Sequence, residues 1–409
     1  TVTVRGRVEG SEFGVLLIST TAGRSLGTVE ISETGERYII RGEPSGEHFL
    51  IDAAALANDE IPGGPSQSPP SETSSTYATE SIQASGPLDP ATIDVMIIYT
   101  PAAKDWADSS GGGIANVVAQ AMEKGQLACD NSATSLTLRL VYSGLISYTE
   151  SGSSSTDLDR LTYWSGYDPR RKDPSHYMDE VHTWRTDYGA DLVCLMTRVD
   201  DTGGLGWLLS STSGQQQFGF CIARVQQSGW TYTVVHEQGH NMGCHHRKDQ
   251  STQPGPGLFS YSAGWKWTGT NGTNYCSVMS YTDGGLTQVG HFSNPSVFHM
   301  GAATGHSVDG DNARTIREIK HVVAAYRSEV CDPPSIVSHP ASVTAGTGTN
   351  ATFTVSATGT ATLGYQWRKG GSTISGATTT SYTIVSATSA ASGSYDCVVS
   401  NGCGSATSN

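Results

Sequence analysis

The sequence is poor in charged residues and especially in lysine. Lys and Arg together number 24 and Asp and Glu 38 among 409 residues, so the net charge is −14 at pH 7. An acidic surface attracts neither nucleic acid nor an anionic membrane, and we expect no nucleic-acid partner. A composition rich in Gly, Ser and Thr is typical of an exported β-rich or mixed protein, so a secreted location is expected.

Long apolar runs are also missing. No stretch approaches the roughly 20 residues of a membrane-spanning helix, so no membrane span is predicted. The first residues, TVTVRGRVEG, alternate like a strand and carry no apolar signal core. Two explanations stay open, a signal peptide that has been removed and a cropped chain.

Cysteine is absent from the first 128 residues. The later part of the chain contains eight cysteines, at positions 129, 194, 221, 244, 276, 331, 397 and 403. An even number without a CxxC pair suits four disulfides in an oxidising compartment. Eight buried free thiols are the alternative.

Changes in composition divide the chain into four parts. Residues 1–61 alternate apolar and polar over short stretches and predict a small β-rich unit. Residues 62–88 are Pro, Ser, Thr and Gly with almost no large apolar side chains, which predicts an extended linker open to proteases. Residues 89–331 alternate buried strands with helical stretches and predict an α/β domain with a parallel or mixed sheet. Residues 335–409 have the regular short strands of a β-sandwich.

The stretch VVHEQGHNMGCHHR, residues 234–247, contains the strongest functional signal. His236 and His240 are four residues apart, so on a helix both imidazoles lie on one face and can bind one metal ion. Glu237 lies beside the first ligand, where it can contact a water on the metal. Gly243 tolerates the left-handed conformation of a sharp helix end, after which the chain can present His246. Three neutral imidazoles leave the fourth position of zinc open, which is the catalytic arrangement.

The spacing separates this interpretation from a simpler one. A helix with two solvated or core histidines would explain the HExxH motif alone, whereas the longer pattern through Gly243 to His246 is far more restrictive. His245 is then the odd histidine, and we expect an exposed loop residue. Cys244 is expected in a disulfide, because a free thiol would compete with His246 for the metal.

Downstream features resemble the metzincin metallopeptidases. Met279 and Tyr281 stand in YCSVMSYT, 33 and 35 residues after His246, where that family has a methionine turn beneath the metal. FSNPSV at 292–297 and the helix DNAR…VVAAYR are most similar to bacterial reprolysin-like peptidases. The resemblance covers about 89–330. Arg247 departs from it, because reprolysins often have an acidic residue after the third histidine.

The resemblance implies a twisted mixed sheet with an active-site helix, and a zinc endopeptidase that acts on protein or peptide substrates. Glu237 would be the general base, and Tyr281 would bind zinc or stabilise the transition state. Met279 would pack beneath the site. GGLGWLL, residues 203–209, would be the edge strand that pairs with the substrate backbone, with an ordinary Gly-rich loop as the alternative. The sequence leaves calcium binding open.

Resemblance and position along the chain suggest four disulfides. Resemblance to astacins suggests Cys129–Cys331. Cys244–Cys276 would tie the turn of the third histidine to the methionine turn, Cys194 and Cys221 lie at the ends of two successive strands, and Cys397–Cys403 would close the last hairpin. The N-terminal 60 residues resemble a propeptide without the thiol of a cysteine switch.

The C-terminal module resembles an immunoglobulin-like domain, with Trp367 in its core and Tyr395 at the tyrosine corner. Val355 stands where the first cysteine of the usual inter-sheet disulfide belongs, and the last strand looks truncated. The expected partner of this module is a surface, a polymer or a protein.

Two rival functions remain at this point. One is a surface adhesin with a degenerate peptidase domain, which the sandwich module favours and the intact histidines and Glu237 disfavour. The other is a zinc hydrolase that acts on a non-peptide bond.

Overall fold

The computed structural model describes residues 1–64, 66–69, 86–163, 177–327, 333–359, 363–401 and 404–409. Two compact units divide the chain, one from residue 1 to 328 and the other from 329 to 409. The N-terminal strands therefore belong to the same unit as the predicted catalytic region. Within the described ranges, no helix combines the length and apolarity that a membrane crossing needs.

The N-terminal strands form one antiparallel sheet in chain order. Its members are β1 (Val2–Arg7), β2 (Val15–Thr21), β3 (Arg24–Ile31), β4 (Glu36–Gly42) and β5 (His48–Asp52). A short 3-10 helix, Ala53–Asp59, follows. Leu26 and Ile39 are buried in the same apolar cluster as the catalytic region. The β-rich unit predicted from alternation is therefore present and is docked on its neighbour.

A mixed five-stranded sheet forms the centre of the first unit. Its strands are β6 (Ala91–Tyr99), β7 (Leu136–Leu145), β8 (Leu192–Thr197), β9 (Gly204–Gly206) and β10 (Phe220–Arg224). They lie in the order β7-β6-β8-β10-β9, all pairs being parallel except that of β10 with β9. Every residue of β8 is buried, as its continuous apolar run predicts. The antiparallel strand β9 forms one edge.

Helices cover both faces of this sheet. They are α1 (Pro101–Ser110), α2 (Ile114–Asn131), α3 (Ser154–Thr162), α4 (Asp179–Asp187), α5 (Val225–Ser228), α6 (Thr233–Asn241) and α7 (Asn312–Val323). Alternate residues of β6 point into two different apolar clusters, one shared with α2, α6 and α7 and the other with α3 and α4. The predicted closing helix buries Ile316, Ile319 and Val323 on one face, at 0–1 % exposure. Sheet and helices together hold α6 in the interior.

The chain between α6 and α7 is mostly loop, as predicted. Its short strands are β11 (Lys266–Thr268), β12 (Asn274–Cys276), β13 (Thr287–Gln288), β14 (Phe298–His299) and β15 (Ala302–Ala303). β12 leads directly to the turn that contains Met279, which is fully buried. These strands fix the loops that face α6.

The second unit consists of short antiparallel strands. They are β16 (Ser335–Ser338), β17 (Ala351–Thr354), β18 (Ser356–Thr358), β19 (Gly364–Lys369), β20 (Ser372–Thr373), β21 (Ser381–Ile384), β22 (Tyr395–Asn401) and β23 (Gly404–Thr407). Trp367 is fully buried in their core beside Val355 and Cys397. The Tyr395 hydroxyl donates to the Ala391 carbonyl at 2.7 Å, which is the contact of a tyrosine corner. The last strand, Gly404–Thr407, pairs with residues 398–401 of β22.

The described cysteines are all buried free thiols: Cys129, Cys194, Cys221, Cys244, Cys276 and Cys397. The predicted Cys194–Cys221 and Cys244–Cys276 disulfides are therefore not formed in this structure. Cys194 and Cys221 are neighbours on β8 and β10, whereas the sulfurs of Cys244 and Cys276 face different backbone carbonyls, those of Asn312 and Ser280. The other two predicted pairs include Cys331 and Cys403, which lie outside the described residues.

Candidate metal centre and cleft

Helix α6 carries the first three residues of the motif. It runs from Thr233 to Asn241, and every residue from Val234 to Asn241 is buried. It packs against β9, β10 and α2, and the edge that contains Thr233, His236 and Glu237 lines a cavity, here called the cleft. His236 and His240, one turn apart, point from that edge, with the Glu237 side chain beside them.

Gly243 ends the helix and reverses the chain. Its φ is +79°, in the left-handed region. The Gly243 amide donates to the His240 carbonyl at 2.9 Å, and the Cys244 amide donates to the Gly239 carbonyl at 2.9 Å. This turn brings His246 back towards the other two histidines.

A variant at this turn should destabilise the first unit. In Gly243→Ala, the left-handed conformation costs about 1–2 kcal/mol, and the new Cβ would lie 2.7 Å from Cβ of Leu258. We expect a total loss of about 2–3 kcal/mol in the free energy of unfolding, measured by urea denaturation of the full chain. Gly272→Ala is the control, because Gly272 has the same φ of +79° and nothing within 4 Å of its Cβ position. Equal losses in both variants would contradict a role for the contact with Leu258.

The three histidines converge through their Nε2 atoms. Each Nδ1 lies 2.8–3.0 Å from a backbone carbonyl: that of Val278 for His236, Cys244 for His240 and Gln253 for His246. An Nδ1 that donates its proton leaves a lone pair on Nε2. The ligand atoms of the three lie within 4.8 Å of one another, and the Nε2 of His240 is buried with no hydrogen-bond partner in the described part of the chain.

The electrostatics of the three rings favour a cation between them. Burial lowers the pKa of His236 to about 4 and those of His240 and His246 well below the usual value, with neighbouring imidazoles adding to the effect. The rings are therefore neutral near pH 7. Three buried imidazole lone pairs directed at one point fit a zinc ion, for which neutral imidazole is a preferred ligand.

Glu237 is a fully buried carboxylate without a hydrogen-bond partner among the described residues. Burial raises its pKa well above the usual range. A Cβ placed on Gly63 would lie 3.0 Å from Glu237 Oε1 and 3.7 Å from His236 Nε2. An unpaired buried carboxylate is costly, so this group is reserved for a partner that enters the cleft.

Tyr281 and Met279 lie in different parts of the site, one at the cleft and the other in the apolar core. The Tyr281 ring lies over His246 with centroids 4.6 Å apart, and its hydroxyl donates to the Gly63 carbonyl at 2.6 Å. Met279 is fully buried in the apolar cluster that contains Val235 of α6. Tyr281 thus faces the cleft and Met279 supports it from below.

The two residues on either side of His246 are both held by specific contacts. His245 was predicted to be exposed, and this is wrong: it is only 7 % exposed. Its Nδ1 accepts from the His246 amide at 2.7 Å, and its Nε2 is 3.3 Å from the Ser66 hydroxyl. The Arg247 guanidinium pairs with Asp249 and Asp283, which ties the third-histidine loop to the loop after Tyr281.

Residues 61–64 and 66–69, here termed the cleft segment, cross the site. The Gly203 amide donates to the Pro62 carbonyl at 2.9 Å, and the Gly64 amide donates to the Gly204 carbonyl at 2.6 Å. The Gln67 amide donates to Gly206 at 3.0 Å. Part of the predicted linker therefore forms main-chain hydrogen bonds with the edge of the sheet, and Gln67 makes an isolated bridge with Trp207, while residues 65 and 70–85 lie outside the described residues.

This segment is what the sequence interpretation missed. Composition alone marked it as a linker, since main-chain pairing requires no apolar side chains. The one local signal is the Gly63–Gly64 pair, because a side chain at Gly63 would collide with Glu237. Within GGLGWLL, residues Gly204–Gly206 form the edge strand β9. This observation favours the predicted edge strand over the alternative of an ordinary Gly-rich loop.

A cavity of about 440 Å³ opens beside His236, Glu237 and Tyr281. One wall consists of Tyr232, Thr233, His236 and Glu237, at the start of α6. The opposite wall is the loop from Ser280 to Asp283 together with Gln288, and residues 60–63 line the third side. The cavity has the size and position to receive a side chain from a peptide in the cleft.

Comparison with known families gives two matches in separate parts of the chain. The profile described as "Metallo-peptidase family M12" matches residues 89–293, which is half of the chain. The profile described as "Immunoglobulin domain" matches residues 333–401. The first match contains the three histidines, Glu237 and Tyr281.

Curated relatives carry a more specific name. A protein of Stenotrophomonas maltophilia named peptidyl-Asp metalloendopeptidase is 28 % identical over 58 % of this chain and 53 % of its own length. A protein of Xanthomonas campestris with the same name is 27 % identical over 73 % of this chain and 67 % of its own length. The chain thus spans about half to two thirds of these two relatives. A solved structure of titin domain M7 is 27 % identical over 20 % of this chain and 92 % of its own, with a TM-score of 0.19.

Proposed function

This chain belongs to metallopeptidase family M12, and from that premise we propose that it is a zinc-dependent endopeptidase with its active site in the cleft at α6. One observation carries the proposal: three neutral imidazoles converge beside a buried carboxylate that has no partner among the described residues. His236, His240 and His246 would hold the zinc. When bound, zinc supplies a Lewis acid that polarises a peptide carbonyl and makes water more acidic.

Glu237 is the proposed general base. Its carboxylate faces the cleft at the height of Gly63, where a substrate peptide bond would lie. It accepts a proton from the attacking water and passes it to the nitrogen of the leaving amine. Its burial in an apolar pocket favours a carboxyl group that can hold the proton between these two transfers.

Tyr281 and β9 are proposed to position the substrate. The Tyr281 hydroxyl already donates to a peptide carbonyl, that of Gly63. The same hydroxyl would donate to the scissile carbonyl, whose oxygen gains negative charge during attack. The backbone of Gly203–Gly206 pairs with the cleft segment and would pair with an extended substrate in its place.

The substrate class follows from the relatives. Both are named peptidyl-Asp metalloendopeptidases, and we propose that this chain also acts at peptidyl-aspartate bonds. The C-terminal immunoglobulin-like unit is proposed to bind a surface, polymer or protein. The acidic composition, rich in Ser and Thr, supports a secreted enzyme.

We also propose that residues 1–69 keep the enzyme latent. The cleft segment takes up the main-chain bonds of β9 and places Gly63 against Glu237. Gly63 has no side chain that could bind a metal. The cleft segment therefore inhibits through its main-chain hydrogen bonds and by filling the space in front of Glu237. Cleavage of the linker at 70–88 would release it.

Removal of the metal should abolish turnover. The full chain, cut in the linker, is assayed on a protein substrate with 1,10-phenanthroline, and with the non-chelating 1,7 isomer as control. We expect the chelator alone to reduce the rate at least about 10²-fold, and added zinc to restore it, because zinc supplies several kcal/mol of transition-state stabilisation. Mapping of the cleavage sites tests the preference for aspartate. A rate that resists the chelator would refute the zinc mechanism.

A further inference from the structure

Lys124 of α2 is a buried cation whose ion-pair partner comes from the N-terminal sheet. Its side chain is 1 % exposed, and its Nζ lies 2.5 Å from Glu30 Oε1 of β3. Among the described residues, Glu30 is the sole salt-bridge partner of Lys124. The Tyr232 hydroxyl donates to the other oxygen of Glu30 at 2.7 Å. Two groups of the catalytic region therefore hold one carboxylate that belongs to the N-terminal sheet.

This carboxylate lies next to the cavity beside the catalytic groups. Tyr232 lines the cavity and stands one helical turn before His236, whose amide donates to the Tyr232 carbonyl at 2.9 Å. Arg37 of β4 is 3.7 Å from Glu30 and donates to the carbonyl of Gln288, another lining residue. The Glu30 carboxylate is thus hydrogen-bonded to one residue that lines the cavity, Tyr232, and its neighbour Arg37 is hydrogen-bonded to another, Gln288.

The arrangement changes once the N-terminal sheet leaves. Glu30 and Arg37 depart together, while Lys124 and Tyr232 stay in the catalytic region. The Lys124 ammonium then loses its counter-charge, so the vacated place favours a new carboxylate. Lys124 also lies 4.7 Å from the centroid of the Tyr232 ring, so the two groups are held as one pair.

We propose that Lys124 and Tyr232 form the receptor for an acidic substrate side chain, and that Glu30 occupies this receptor in the uncut chain. The inference rests on the proposed function, in which the N-terminal sheet is released and aspartate lies beside the cleaved bond. The ammonium supplies the charge, and the tyrosine hydroxyl supplies a directed hydrogen bond. Lys124 and Tyr232 are thus specificity-determining residues, and neither takes part in the bond cleavage.

The charge state of the groups agrees with this arrangement. Burial alone would raise the pKa of Glu30, but Lys124, Arg37 and the Tyr232 hydroxyl together lower it to about 2. The receptor therefore binds a carboxylate in its ionised form. An amide of the same shape would leave Lys124 without a counter-charge.

Matched peptides test the receptor. The full chain is cut in the linker, the N-terminal fragment is removed, and kcat/KM is measured for peptide pairs that carry Asp or Asn on either side of the cleaved bond. For the wild type we expect a preference for Asp of about 10²-fold or more, as for a site that must pair its buried polar groups. Lys124→Met should reduce this ratio to less than about tenfold, and Tyr232→Phe should reduce it about tenfold. Lys104→Met, in an exposed pair on α1, should keep the wild-type ratio.

The outcomes separate this inference from the proposed function. If no peptide is cleaved, both the proposed endopeptidase activity and the proposed receptor are refuted. Cleavage without a preference for the acidic peptide would overturn the receptor and leave the endopeptidase in place. A preference that survives both Lys124→Met and Tyr232→Phe would show that the acidic side chain is bound elsewhere. If Lys124→Met fails to fold, Tyr232→Phe decides, because it removes one hydroxyl and keeps the ring.

Discussion

Glu237→Gln should lose about 10²–10⁴-fold in kcat while it still binds one zinc per chain. The amide has the shape of the carboxyl group and fits the same buried space, but it cannot take a proton from water. Because Glu237 is beside the three histidines and is not one of them, the zinc site should remain. The measurements are the turnover of the cut chain and its zinc content by atomic spectroscopy.

Two further variants make this result specific. Glu180→Gln, on the exposed surface of α4, is the matched control and should turn over at the wild-type rate. His246→Ala should instead reduce zinc binding itself, because it removes one of the three converging Nε2 atoms. Wild-type turnover of a zinc-loaded Glu237→Gln enzyme would exclude Glu237 as the base.

The uncut chain should be at least about 10²-fold less active than the chain cut between residues 70 and 88. A tethered segment competes with substrate at an effective concentration in the millimolar range, and here it forms main-chain hydrogen bonds along β9. Rates of the uncut and cut full chain are compared on one peptide substrate. N-terminal sequencing of the active form should start within or just after the linker.

The latency test has an internal control. In Gly63→Val, the new side chain would approach Glu237 Oε1, since even a Cβ would lie 3.0 Å from it. This variant should therefore be partly active without cleavage. A mercurial reagent should not activate the uncut chain, because residues 1–128 contain no cysteine. Equal rates of the uncut and cut wild-type chain would mean that residues 1–69 do not inhibit.

The sequence predicted those features that depend on local spacing. The histidine pattern predicted that His236, His240 and His246 would come together, and the turn at Gly243 has the left-handed φ that its position suggested. Apolar runs located the buried strands, and helical periodicity located the buried face of α7. Each of these signals lies within about ten residues of chain.

The remaining features arise from contacts between distant parts of the chain. His245 is buried, and its contacts include Ser66, 179 residues away, and Asn312, 67 residues away. The cleft segment pairs with β9 through main-chain atoms, and such pairing does not require particular residue types that a sequence would show. In the sequence, Lys124 is an ordinary residue of a predicted helix. Its buried ion pair is with Glu30, 94 residues earlier, and no local pattern indicates this contact. The Cys194–Cys221 and Cys244–Cys276 disulfides were predicted from position along the chain, and the structure has free thiols at all four residues.

The position of β9 at the edge of the central sheet also bears on aggregation. An uncovered edge presents unpaired amides and carbonyls to any other extended chain, including a second copy of the protein. In the uncut chain, the cleft segment fills those bonds at Gly203, Gly204 and Gly206. The contact that we propose to block substrates would therefore also protect the newly folded protein from strand pairing between molecules. After release, an edge strand of only three residues, two of them glycine, limits that risk while still accepting a peptide.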